Sequence, residues 1–67
     1  MITVNGKPRD LSAGTPVAEV VKELAGSAEA RGVAVAVNGE VVPRAAWTTT
    51  VLSEGDRVEV LTATQGG

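Results

Sequence analysis

The chain has 67 residues, no Cys, no His and a formal net charge of −2 from 6 basic and 8 acidic residues. That length gives one small domain held by apolar packing alone, because disulfides and Cys-based metal sites are excluded. The basic residues are scattered, Trp47 is the only aromatic and no apolar run nears the ~20 residues of a membrane span, so nucleic-acid and membrane partners are not expected and a soluble, cytoplasmic protein is.

Met1 to Asn5 alternates, with Ile2 and Val4 on one side, and predicts a half-buried strand. Asn5-Gly6 follows as a hairpin turn, since both residues tolerate positive φ. Lys7 to Leu11 returns as an edge strand, because Pro8 has no N–H for a ladder. Ser12 to Gly14 is loop. Thr15 reads as an N-cap and Pro16 as the first helical residue. Val17, Val20, Val21 and Leu24 then fall on one helical face, and Gly26 closes the helix, which spans about 16–25. Ser27 to Arg31 is a polar connection.

Val33 to Val37 predicts a strand with valines on one face and alanines on the other, open to close approach by a further layer or chain. Asn38-Gly39 makes a second turn into a short strand over Glu40 to Val42. Pro43 to Trp47 suits one helical turn. Val51 and Leu52 pack before a turn at Gly55-Asp56. Arg57 to Ala63 alternates again, with Val58, Val60 and Thr62 opposite Arg57, Glu59, Leu61 and Ala63. Thr64 to Gly67 has no apolar anchor and reads as a flexible tail behind a domain of residues 1–63.

One helix must cover one face of a mixed sheet of four to five strands. The first and last strands can lie side by side and parallel, with the helix in the crossover. That is the α+β architecture of the β-grasp, or ubiquitin-like, fold. The usual acid, base and nucleophile sets are missing with His, Cys and Tyr, and no spacing among Asp, Glu, Lys, Ser and Thr suggests a site. An enzyme acting alone is not expected, and no metal site is.

At Asn38, at Val42-Pro43-Arg44 with Trp47 three residues on, at Gly55-Asp56 and at Gly66-Gly67 the sequence resembles the thiamin-biosynthesis sulfur carrier proteins, the ThiS family. The Val-Pro-Arg-x-x-Trp segment is the more specific signal; Gly-Gly is shared by all ubiquitin-like carriers. The resemblance implies a carrier that holds no cofactor. A ubiquitin-activating-type adenylyltransferase would use ATP to adenylate the carboxylate of Gly67. Sulfur from a donor such as a cysteine desulfurase would make the thiocarboxylate, and thiazole synthase would receive the sulfur for the thiazole of thiamin. Gly66 and Gly67 would thread the partner's active site, since residues without Cβ fit a narrow channel. The small, polar Ala63-Thr64-Gln65 run departs from the more apolar residues of some relatives.

The remaining residues have structural readings. Trp47 suits the core, Arg44 a solvated charge or local donor, and the two Asn-Gly pairs and Gly55-Asp56 turns alone. Leu61 falls on the face away from the helix, where with Ala63, Arg57 and Glu59 it could form a partner-docking patch beside Ala34 and Ala36. Rival readings are the small subunit of molybdopterin synthase, another ubiquitin-like sulfur carrier, a non-covalent ubiquitin-like adaptor, and a modifier joined to lysines through Gly67.

Overall fold

The computed structural model describes residues 1–26 and 32–62. The order is β1 (Ile2–Val4), β2 (Lys7–Arg9), α1 (Val17–Ala25), β3 (Val33–Val37), β4 (Glu40–Val42), a 3₁₀ turn (Arg44–Ala46) and β5 (Arg57–Thr62). The sheet runs β2-β1-β5-β3-β4. β1 and β5 are parallel, and the other pairs are antiparallel. This is the β-grasp arrangement, with the last strand in the centre and α1 in the crossover. The expected connection over 27–31, Ala63 and the tail 64–67 lie outside the described residues.

Period-two alternation sends Ile2, Val4, Val35, Val42, Val58 and Val60 to the helix side, where they meet Val17, Val20 and Val21 of α1. Trp47 and Leu52 complete this core. Among the described residues no polar or charged residue is buried. Leu24, expected on the buried helical face, stands 37% exposed in the last turn of the helix, while Ala25 beside it packs against the core. β2 stops at Arg9 rather than Leu11; Pro8 sits in this edge strand opposite Thr3.

The start of α1 differs from the sequence reading by one residue. Pro16 occupies the cap position with extended backbone, and Thr15 Oγ1 donates instead to the Ser12 carbonyl at 2.7 Å. The free helical N–H groups are met by distant backbone. Val17 donates to the Thr50 carbonyl at 2.9 Å and Ala18 to the Trp47 carbonyl at 3.0 Å. A helix N-terminus needs such acceptors, and here the 47–52 segment supplies what a capping side chain would. Leu52 N–H donates back to Thr15 and Pro16 bridges Val51, so this segment is stitched to the helix entry.

Trp47 is the buried residue that sequence expected, and it does three things. Its indole fills the core, its Nε1 donates to the Val42 carbonyl at 3.0 Å, and its own carbonyl caps α1. Arg44, exposed, lays its guanidinium 5.6 Å from the ring centroid, within cation–π range. Trp47→Ala should cost about 3–5 kcal/mol through lost burial and the cavity it leaves. A domain of this size has only a few to about 10 kcal/mol in total, so this variant should be largely unfolded. Trp47→Phe, which keeps most of the ring but loses the indole donor, should cost about 1–3 kcal/mol. Urea titrations followed by circular dichroism separate the two.

Candidate functional site

β5 carries every sequence-predicted docking residue that the structure describes. Val58 and Val60 face the helix, which turns Arg57, Glu59 and Leu61 to the open face, all exposed. Register sets their neighbours. Leu61 lies opposite Ala34 and Glu59 opposite Ala36 on β3, while Ala36 also faces Val41 on β4. Leu61 is 68% exposed and Val41 77%. The alanines between them add no bulk, so these two side chains stand above a low, apolar floor. Thr3 of β1 pairs with Arg57 on one side and Pro8 on the other, completing the face. The patch is therefore apolar towards Thr62 and charged towards Arg57, on the strand that runs directly on to residues 63–67. Ala63, Gly66 and Gly67 themselves lie outside the described residues.

At the start of β5 the two Asn-Gly turns do more than the sequence suggested. Asn5 and Gly6 have φ of 53° and 81°, and Asn38 and Gly39 of 52° and 86°, the left-handed values their residue types tolerate. Each asparagine then reaches β5 with its side chain. Asn5 Oδ1 accepts the Val60 N–H at 2.8 Å and Asn5 Nδ2 donates to the Val60 carbonyl at 3.1 Å. This continues the short parallel ladder in which Thr3 and Asn5 N–H groups donate to Asp56 and Val58. Asn38 Oδ1 accepts the Arg57 N–H at 2.9 Å, and its Nδ2 donates to Asp56 Oδ1 at 2.9 Å. The Val-Asn-Gly spelling announces a turn, but the clamp on β5 needs the tertiary register and has no local signal.

A shallow groove of about 390 Å³ lies between these turns, lined in part by Thr3, Gly6, Asn38, Gly39, Arg57 and Glu59. It holds two charges of opposite sign and no activated nucleophile. Asp56, half-buried, accepts the Ser53 N–H at 2.7 Å as well as the Asn38 amide. These bonds favour the ionised form, the Ser53 contribution first, and hold the carboxyl below its ordinary value. Among the described residues no group of three or more His, Cys, Asp or Glu is placed to hold a metal ion. No helix among them is long and apolar enough to cross a membrane. Among the described residues of the face and the turns, no side-chain acid or base is prepared by burial.

Fold and face together define a ubiquitin-like β-grasp domain. The model of the ThiS family matches residues 2–67, and the chain belongs to that family. It is similar to the thiamine biosynthesis protein ThiS from Geobacter metallireducens, with 40% identity, 98% of this chain and 97% of that chain covered, and a TM-score of 0.72 to the crystal structure. A solution structure of a thiamine biosynthesis protein from the same organism gives 41% identity, 98% and 86% coverage and a TM-score of 0.75. A thiazole synthase from Paramagnetospirillum magneticum (strain ATCC 700264 / AMB-1) is 32% identical over 66 residues, 98% of this chain. The chain spans only 20% of that relative's length.

Because the folded state lowers the Asp56 pKa, its stabilisation is fully present above the ordinary aspartate value and is lost as pH falls through the lower, folded value. Asp56→Asn should therefore be less stable than wild type at neutral pH and lose less stability below about pH 4. Thermal unfolding across an acid series reads this directly. Parallel pH curves for the two proteins would show that Asp56 contributes nothing to acid sensitivity.

Proposed function

We propose that this chain is a sulfur carrier of thiamin (thiazole) biosynthesis whose working group is the carboxylate of Gly67. The carrying observation is a family match that runs through Gly66-Gly67, on a domain whose described residues bury no ionisable group. The similarity to a segment of a protein named thiazole synthase supports that enzyme as the recipient. It also favours the thiamin branch over molybdopterin synthase.

The chemistry follows from the carboxylate. With a pKa near 3.5 it is ionised at neutral pH and a poor electrophile. A carboxylate oxygen attacks the α-phosphorus of ATP, pyrophosphate leaves, and the resulting acyl adenylate can lose AMP to incoming sulfur. The adenylyltransferase supplies that catalysis, which is why the carrier needs no acid or base of its own. The thiocarboxylate then acts as a sulfur nucleophile in thiazole synthase. The β5 face suits the adenylyltransferase as a docking patch. Leu61 and Val41 supply apolar area over Ala34 and Ala36, with Arg57 and Glu59 at the rim. A partner gripping Leu61 has Gly67 within six residues, at most about 20–22 Å of extended chain.

The deciding measurement is the intact mass of the protein from its own cells, with fragmentation to place any shift. Replacement of oxygen by sulfur at Gly67, converted by a thiol-directed alkylating reagent, is expected. Placement matters because oxidation of Met1 or Trp47 gives nearly the same mass. An unmodified Gly67 under active thiamin demand, or a chain that continues past Gly67, would overturn the reading. Leu61→Asp should slow adenylation at least about tenfold by placing a charge in the apolar contact, while circular dichroism stays that of wild type. Unchanged adenylation would remove the patch from the proposal.

A further inference from the structure

Val-Asn-Gly occurs twice, at Val4-Asn5-Gly6 and Val37-Asn38-Gly39. Asparagine before glycine is chemically labile, because the glycine has no side chain to hinder its own nitrogen. That nitrogen attacks the asparagine Cγ, a C–N bond forms, and the side-chain nitrogen leaves as ammonia. Water then opens the succinimide to aspartate or isoaspartate. No oxidant or cofactor is required.

Both asparagines are on the surface, yet both side-chain amides are held by β5. Ring closure needs Cγ free to turn onto the glycine nitrogen, and two hydrogen bonds per side chain oppose that turn. The two clamps differ in what must move to release them. Asn5 is bonded to the N–H and carbonyl of Val60, in the central strand, so its release leaves two backbone groups there unpaired. Asn38 is bonded to the Arg57 N–H and to the Asp56 carboxylate, both at the exposed start of β5. Its release breaks one bond to the strand backbone, at Arg57, and one to a side-chain carboxylate that can rotate away. Freeing a carboxylate, which water can solvate, is cheaper than unpairing two backbone groups of a central strand.

We propose that Asn38 is a deamidation site of the folded protein, timed by its bond to Asp56, and that Asn5 is a matching site kept latent by Val60. The product matters to the fold. A carboxylate at position 38 would face Asp56, exchanging a hydrogen bond for like-charge repulsion at the root of β5. An isoaspartate would also lengthen the β3–β4 turn by a backbone carbon. Conversion at Asn38 therefore loosens the strand that leads to residues 63–67.

The test is incubation of the full chain in mildly alkaline buffer, with peptide mapping of both sites over time, folded and in urea. In urea the two matched tripeptides should react at rates within about twofold, since structure no longer distinguishes them. Folded, Asn38 should convert at least about tenfold faster than Asn5, and Asp56→Ala should raise the Asn38 rate several-fold without moving that of Asn5. Trp47 fluorescence verifies that the variant is folded. Equal folded rates at the two sites, or a folded Asn38 rate below that of Asn5, would overturn the proposal using wild-type protein alone. A folded Asp56→Ala with an unchanged Asn38 rate would remove Asp56 as the timing residue.

Discussion

The structure depends on closing the last strand into the middle of the sheet. β5 lies between β1 and β3, so neither hairpin can join the other without it. Its central partner, β1, is three residues long and contributes only a short parallel ladder. Parallel pairing is slightly weaker per residue than antiparallel, and a ladder this brief leaves the rest of β5 without a partner on that side. The Asn5 side chain fills the gap by acting as the next peptide would, satisfying both backbone groups of Val60. Asn38 and Asp56 hold the entry of the same strand from the other side. A buried strand with unsatisfied backbone groups is costly, so these side-chain bonds are part of the sheet rather than decoration on it.

The same economy governs the helix. With nine residues and no side-chain cap, α1 would be marginal alone. Its apolar face and its first N–H groups are both completed by the segment from Trp47 to Leu52. Trp47 couples the two tasks, because its burial fixes the carbonyl that caps Ala18. The Arg9–Glu23 pair at 3.7 Å links β2 to the helix, but it is exposed and adds little beside these contacts.

The described residues form a body with an apolar core and one open sheet face. The core is wholly apolar, the shifted carboxyl is tied up in a turn, and the open face presents Leu61 and Val41 over alanines. Such a body holds β5 in place and leaves that face open to solvent. The apolar end of the open face lies at the Thr62 end of β5, and its charged end at Arg57.

Much of this was written in local pattern. Period-two valines marked the strands, the Val17-Val20-Val21 spacing marked the helix, and Asn-Gly fixed both tight turns, because these signals depend on neighbours a few residues away. The Leu61 face was legible for the same reason, as alternation along β5 sets which side chains point outward. What the sequence could not carry were partnerships across long separations. Asn5 meets Val60 only once β1 and β5 are parallel and in register. Pro16 takes the cap position in place of Thr15 because the Thr50 and Trp47 carbonyls arrive there. Local spacing thus determined the elements and their faces; tertiary register alone decided which polar groups met, since a hydrogen bond depends on distance in space and not on separation along the chain.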